Sequence, residues 1–358
     1  MAQSVYAEIN LTALRHNFSI VRKHAPQSRV MAVVKSLGYG HGAVEVAQAL
    51  SEEADALAVA RIDEAVLLRE AGITADLLVL EGVADAEELN LVAKYKMQLV
   101  VHQPYQIDLL RQLGIDSAID CWVKLDTGMH RLGFPVEDLD KVLDQLKAIA
   151  AVDRITLMTH FANADDPHDS ATEYQLARML AAKGSLEYPL SMANSAGILA
   201  WPNSHAAWVR PGIMLYGASP ILGLSAAEIN LQAVMTLRAP LIAINRLQKG
   251  DAVGYGGTWK AAEAMSIGVV AIGYGDGYPR HIDSAAHVLI NGSRAPLIGR
   301  VSMDMVTIDL RGIDVQVGDE VTLWGEGLPV EEVAAWANTI SYTLFCGVTA
   351  RVSRRYRY

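Results

Sequence analysis

The amino-acid sequence predicts an α/β chain in which an N-terminal (β/α)8 barrel of TIM type is followed by a mainly antiparallel β domain. Three observations carry that expectation. From about residue 10 to 220, short apolar runs rich in β-branched residues alternate with segments of helical periodicity. The repeats number about eight, the count that closes a parallel barrel. Beyond about Asn230, the pattern gives way to short alternating runs punctuated by glycine and proline, as antiparallel strands joined by turns require. The barrel is assigned to residues 9–228 and the β domain to 229–358, with residues 1–8 able to join the latter as a strand.

In order along the chain, the expected barrel strands are Arg29–Lys35, Ala56–Ala60, Asp76–Glu81, Met97–His102, Asp120–Leu125, Ile155–His160, Pro189–Ala193 and Trp208–Tyr216. Helical patterns such as AVEVAQALSEEA, DEAVLLREAG, DAEELNLVAKYK, PYQIDLLRQLG and LDKVLDQLKAI lie between them. A doubly wound open sheet is the rival architecture, but it usually carries a nucleotide fingerprint after its first strand, and none is present. The β domain reads as LRAPLIAI, GDAVGYGGTW, SIGVVAIGYGDGYP, HVLINGSRAPLIGRVSMDMVTIDL and DEVTLWG. Its one clear helical pattern is VEEVAAWA, after Pro329.

A chain of 358 residues with 51% hydrophobic and 20% charged positions can bury cores for two domains. Its net charge of −10 argues against nucleic acid as a general partner, because phosphate backbones are bound by basic surfaces. Arg351, Arg354, Arg355 and Arg357 are a local exception, read as a solvated or interface strand. Two distant cysteines, Cys121 and Cys346, lack the spacing of a disulfide framework or a metal site and fit a reducing, cytoplasmic compartment. Neither a secretory leader nor a membrane-spanning apolar run is expected. The histidines are scattered, so no metal is assigned.

Several expected strands end in groups capable of chemistry. Lys35 follows MAVV and precedes a glycine-rich turn, where it reads either as a nucleophile in the barrel mouth or as a solvated strand end. Gly38, Gly40 and Gly42 allow close approach to a ligand, and the Tyr39 hydroxyl could reach a phosphate or carboxylate. Lys124, Asp126 and Arg131 in KLDTGMHR, then His160, Asn194 with Ser195, and Arg210 with Gly212 extend the series. Ser195 and the turn from Arg210 to Ile213 fall where barrels commonly build a phosphate cradle, so a phosphorylated cofactor or substrate is expected. A lone histidine beside apolar residues is usually a satisfied core group, but Arg210 on a later strand gives His160 a possible hydrogen-bonding partner. In the β domain, Tyr255, Tyr274 and the run GRVSMDM are candidates beside the plainer reading of hairpin turns.

With these residues in place, the chain resembles the bacterial alanine racemases along essentially its whole length. The family's cofactor-attachment pattern V-x-K-A-[DN]-[GA]-Y-G-H-G is met by Val33 to Gly42 except at Ser36 and Leu37. WVKLDTGMHRLG, MTHFANAD, NSAG, WVRPGIMLYG, VGYGGTW, GYGDGYPR and GRVSMDM follow in family order. The resemblance implies a pyridoxal 5'-phosphate enzyme that interconverts L-alanine and D-alanine and serves D-alanine biosynthesis. Lys35 would hold the cofactor as a Schiff base and act as one base, and Tyr255 of the partner subunit would be the opposite base, making a homodimer with shared sites.

By the same matching, Tyr39, Ser195, Gly212, Ile213 and Tyr342 would hold the cofactor phosphate. Arg210 would face the pyridine nitrogen, and His160 would link it to Tyr255. Arg131 would meet the substrate carboxylate together with the N–H of Met303. Lys124 matches a lysine often carried as a carbamate that steadies the arginine. Asp304 would orient neighbouring groups, Tyr274 would wall a small side-chain pocket, and Asp165, Arg280 and Arg300 would line the entrance. A racemase of broader amino-acid specificity is the nearest alternative. A related decarboxylase should carry a carboxylate where Arg210 stands, and a non-catalytic pyridoxal-phosphate carrier would not need Tyr255 or Met303.

Overall fold

The computed structural model describes residues 4–113 and 118–358, and its contacts divide the chain into two compact units. One comprises Arg15–Leu215 with Pro220–Leu224; the other takes the described residues up to Leu14, then Tyr216–Ser219 and everything from Ser225 onward. Gly114, which closes the PYQIDLLRQLG pattern, and residues 1–3 of the expected 1–8 segment lie outside the described residues.

Strand β1 (Tyr6–Asn10) belongs to the second unit, and the first unit begins its sheet at β2 (Arg29–Val33). There follow β3 (Ala56–Val59), β4 (Leu77–Val79), β5 (Gln98–Val101) and β6 (Ile119–Asp126). A two-residue strand, β7 (Phe134–Pro135), flanks the end of β6; β8 (Val152–Met158), β9 (Leu190–Ser191) and β10 (Trp208–Val209) complete the set. Every pairing is parallel in the order β5-β4-β3-β2-β10-β9-β8-β6, and β5 also pairs with β6, so eight strands close into a barrel.

The barrel strands are buried almost throughout, which explains why they read as continuous apolar runs rather than alternating ones. Within the barrel, Trp122 lies two residues before Lys124 on β6, so both point the same way and Trp122 fills the space beneath the lysine. Its indole N–H donates to Gln98 Oε1 at 2.8 Å, and its ring meets Trp208 edge-on at 5.4 Å. The Arg29 guanidinium covers Trp208 at 4.2 Å. These groups seal the end of the barrel remote from the strand termini.

The second unit continues with β11 (Met235–Leu247), β12 (Ala252–Val253), β13 (Trp259–Lys260), β14 (Met265–Val270) and β15 (His287–Ile290). Strands β16 (Ser293–Ile298), β17 (Val306–Asp309), β18 (Glu320–Trp324) and β19 (Ser353–Arg357) follow. The sheet runs β14-β17-β16-β15-β18-β11-β1-β19, and β11 reaches round to β14, closing six antiparallel strands on themselves. Bulges in β11 between Leu237 and Arg238 and between Leu241 and Ala243 supply the bend that lets one long strand serve both neighbours. β1 pairs antiparallel with β11 and parallel with β19.

The strand bounds differ from expectation at several ends, as at β4, β8 and β9, and three differences are informative. β2 ends at Val33, not Lys35, because positive φ angles begin at Ser36. The expected strand Trp208–Tyr216 stops at Val209, and Ile213–Tyr216 is a 3-10 turn, because Pro211 and Gly212 interrupt it. A second β-domain helix, Ser341–Gly347, escaped the periodicity reading because SYTLFCG mixes β-branched and aromatic residues. Trp122→Ala should destabilise the cofactor-free protein by about 3–5 kcal/mol, read as a lower urea midpoint, since nothing nearby can fill the space.

Candidate active site

The carboxyl end of β2 opens into an unusual turn. Ser36, Leu37 and Gly38 hold φ of 54°, 55° and 60° with ψ of 54°, 43° and 47°, and Tyr39 follows at φ 51°. That is a full left-handed turn, a conformation that costs an ordinary L-residue about 1–2 kcal/mol at each position. Backbone bonds from Gly38 N to Val34 O, Gly40 N to Ser36 O and Gly42 N to Leu37 O hold it at 2.8–2.9 Å. Glu64, from the helix Ile62–Glu70, reaches in to accept from Ser36 N at 2.5 Å while also accepting from Ala60 N at 2.8 Å. The turn buries Tyr39 and leaves Leu37 55% exposed.

Tyr39 then meets the last strands. A Cβ placed on Gly212 would lie 2.5 Å from the Tyr39 hydroxyl, so only glycine admits that phenol. Ser195 Oγ accepts from Gly212 N at 2.8 Å and from Met214 N at 3.4 Å. Ser195 itself opens the short helix Ser195–Ala200, capped by Asn194, and Ile213 is fully buried at the head of its 3-10 turn. Two hydroxyls and a glycine backbone thus converge at the ends of β9 and β10. Val33 N donates to Pro211 O at 3.0 Å and ties this cradle to the strand that leads to Lys35.

The barrel mouth is cationic. Arg210 is buried, donates to Ser191 Oγ at 2.6 Å, Thr159 O at 2.7 Å and Met192 O at 3.3 Å, and approaches His160 Nδ1 at 3.5 Å. Burial lowers its pKa to about 10, which leaves it a cation and a pure donor at neutral pH. Burial, then the charges of Arg210, Arg131 and Lys35, push the Lys124 amine down to about 8. Burial and the cations Arg210, Lys124, Arg131 and Lys35 hold His160 well below its ordinary range, so its ring is neutral. Lys35, Lys124, Arg131, His160 and Arg210 therefore share one electrostatic neighbourhood.

Arg131 sits on a loop folded around Asp126, whose Oδ1 accepts from Gly128 N and His130 N, each at 3.0 Å. Burial pushes the Asp126 carboxyl up, but those donors and the His130 ring outweigh it and hold it below the usual range. Asp165 lies on the loop after β8, where its carbonyl accepts from Leu222 N.

In the β domain, Tyr255 stands on a 3-10 turn between Gly254 and Gly256, both at positive φ, and is 70% exposed. Arg300 packs on that turn, 3.2 Å from where a Gly256 Cβ would be. Arg300 and Arg280 line one cleft of about 890 Å³. Tyr274 N donates to Ser302 O at 3.1 Å and Gly275 N to Met303 O at 2.8 Å, which places Tyr274, Met303 and Asp304 on two interlocked turns. Among the described residues no group accepts from the Met303 N–H. Tyr342 occupies the first turn of the helix Ser341–Gly347 and is 38% exposed.

Sequence reasoning passed over two residues of the barrel mouth. Glu64 looks like an ordinary acidic group in the first turn of a helix, and only the fold shows its second oxygen on the Lys35 turn. His102 follows β5, one step beyond the pair Val101–Val123, and so stands level with Lys124. Its Nε2 faces Glu81 O at 2.9 Å, while Nδ1 is buried without a partner among the described residues. Burial lowers its pKa, and Lys124 adds to the effect.

Comparison with known proteins gives the family. The description "Alanine racemase, N-terminal domain" matches residues 9–220, and "Alanine racemase, C-terminal domain" matches 234–356. The chain belongs to the alanine racemase family. It is 51% identical over 352 residues to the alanine racemase of Nitrosococcus oceani, covering 97% of this chain and 98% of that one. With the alanine racemase of Chromohalobacter salexigens it shares 48% over 361 residues, covering 100% and 99% of the two chains. Among solved structures, the biosynthetic alanine racemase of Pseudomonas aeruginosa superposes with a TM-score of 0.96 at 43% identity, covering 99% of this chain and 100% of that one. The family pattern that admits Asn or Asp after the lysine now has a physical reason, since those residues tolerate left-handed φ better than Leu37 does.

Two expectations follow. Leu37→Asn should stabilise the protein by about 1 kcal/mol, seen as a higher thermal midpoint, because the exposed leucine loses little contact on removal. Gly212→Ala should weaken binding of inorganic phosphate about tenfold by calorimetric titration, because the new methyl displaces the Tyr39 hydroxyl.

Proposed function

We propose that this enzyme interconverts L-alanine and D-alanine with pyridoxal 5'-phosphate, using Lys35 on one face of the substrate and Tyr255 of the partner subunit on the other. The observation that carries the reading is the convergence of the Lys35 turn with the Tyr39, Ser195 and Gly212 cradle beside a donor-only Arg210. The gap that only a glycine leaves for the Tyr39 hydroxyl, flanked by the Ser195 hydroxyl, suits a phosphate monoester.

Lys35 would hold the cofactor, Tyr39, Ser195, Gly212 and Ile213 its phosphate with help from Tyr342, and Arg210 its ring nitrogen. Once bound, the cofactor supplies a sink for the charge left on the α-carbon when its proton leaves. Arg210 keeps its own proton and can only donate, so it leaves the ring nitrogen unprotonated and limits that sink. A short-lived carbanion suits an enzyme that only exchanges a proton.

Inversion needs a proton taken from one face and returned to the other, which a single group does not provide. Lys35 shares the barrel mouth with Lys124, Arg131 and Arg210. Tyr255 projects from its turn, 70% exposed, as a group offered to a second copy of the chain would be. His160, kept neutral beside Arg210, would pass that positive field to the tyrosine. Arg131 would take the substrate carboxylate, with the Met303 N–H of the partner subunit as second donor.

Lys124 as a carbamate would set a negative charge among Arg210, Arg131 and Lys35. Its amine, pushed down to about 8, keeps a neutral fraction able to attack carbon dioxide. Asp304 would orient its neighbours, and Asp165, Arg280 and Arg300 would line the way in.

Incubation with pure L-alanine in deuterated water tests the reading. Loss of optical rotation together with α-deuterium incorporation is expected. Carbon dioxide release would make the protein a decarboxylase, and an inert yellow protein would make it a carrier. In Tyr255→Phe, racemisation should fall equally in both directions, as an equilibrium constant of unity demands. Exchange of the D-alanine α-hydrogen with retention should survive through Lys35. Loss of both exchanges alike would argue against separate bases.

A further inference from the structure

We infer that Arg351 is a positioning residue that sets substrate selectivity, by fixing the Tyr274 and Met303 turns relative to each other. The inference rests on the proposed reading in which Tyr274 walls the small side-chain pocket and Met303 offers its N–H to the substrate carboxylate. Arg351 Nη2 meets Asp304 Oδ1 at 2.8 Å on one turn, and its Nε meets Asp276 Oδ1 at 3.3 Å on the other. Asp276 is buried and its second oxygen accepts from Gly273 N at 3.0 Å, so the arginine grips the base of the Tyr274 turn itself. Gly275 leaves no room for a side chain beneath the guanidinium, whose Nη1 occupies the space a Cβ would need. Thr349, two residues before Arg351, adds a bond from its hydroxyl to Gly275 O at 3.1 Å and from its N–H to Asp276 O at 3.1 Å.

Stability does not explain this arrangement. The Arg351 and Asp304 side chains are 52% and 51% exposed, and a half-exposed ion pair adds little to folding. What a forked cation provides, and a lysine does not, is a directed bond to Asp304 while the Nε edge of the same rigid plane is held against Asp276 as an ion pair. These two contacts join the carboxylate next to Met303 to the carboxylate two residues after Tyr274. The Met303 N–H and the Tyr274 ring are thereby held at one spacing. In a pocket sized for a methyl group, that spacing decides whether a hydroxymethyl is refused.

The test compares wild type with Arg351→Met, Arg351→Lys, Asp304→Asn and Tyr274→Ala in the holoenzyme, using L-alanine and L-serine as substrates. Arg351→Met should raise KM for alanine about tenfold with a smaller change in kcat, and cut the preference for alanine over serine several-fold. Arg351→Lys should restore only part of this. Thermal midpoint and cofactor absorbance should stay near wild type, since the side chain is half exposed. Asp304→Asn should reproduce the effect, and combining it with Arg351→Met should add little, the non-additivity expected of one shared contact.

If Tyr274→Ala alters the preference while Arg351→Met and Asp304→Asn leave it unchanged, the positioning role is overturned and the pocket reading stands. If none of the variants alters it, the pocket reading has failed and the inference falls with it. Full additivity of the Arg351 and Asp304 changes would also overturn the inference. So would a loss confined to thermal stability.

Discussion

The left-handed turn from Ser36 to Tyr39 is the constraint on which the barrel mouth depends. A chain leaving a buried parallel strand would ordinarily bend into the right-handed region and carry the next tyrosine away from the barrel axis. Here five successive positive φ angles, from Ser36 to Gly40, reverse the local sense and bring the Tyr39 hydroxyl against Gly212, across the barrel seam between β2 and β10. Strain of this kind persists only where the surroundings over-determine it. Glu64 clamps Ser36 from outside, Val46 packs over Gly38, and backbone bonds close the turn from within. Lys35 is thus placed by its successors more than by the strand before it.

The second organising fact is charge. Lys35, Lys124, Arg131 and Arg210 gather at one end of the barrel, and Asp126, the carboxylate that acts most on the Lys124 amine, is already engaged by its own loop. Burial first, and then this self-repulsion, lowers the pKa values of Lys124 and His160. A site built this way is completed by anions, and any phosphate or carboxylate it binds relieves repulsion as well as making hydrogen bonds. Ligand binding and stability are therefore linked. Beneath this layer the barrel is apolar, closed by the Trp122 and Trp208 rings, so the charges cannot spread downward into water.

Much of this was legible in the residues. Eight apolar runs with intervening helical periods marked the barrel, and the lysine, arginines, histidine and serine at their ends marked its mouth. The blocks around Lys35, Arg131, Arg210, Tyr255 and Met303 carried the family. What escaped has a common cause, namely contacts between residues distant in sequence. Glu64 is an unremarkable helix acid until the fold brings Ser36 to it, and Arg351 is one of several terminal arginines until two turns far earlier in the chain meet it. The strand ends were misplaced for a local reason. Apolar character continues through Val34 and through Ile213 to Tyr216, while the strands end at Val33 and Val209.

The placement of β1 has a consequence for how the chain is made. Tyr6–Asn10 lies between β11 and β19, hydrogen-bonded on one side to residues 235–238 and on the other to 353–357. A ribosome delivers both partners long after β1 has emerged, with the whole barrel sequence in between. Until then a strand with Ile9 and Ala7 among its apolar groups keeps a bare edge, the kind that recruits a neighbouring nascent polypeptide. The demand this topology makes therefore falls on the growing chain, whose first strand waits for neighbours from far downstream.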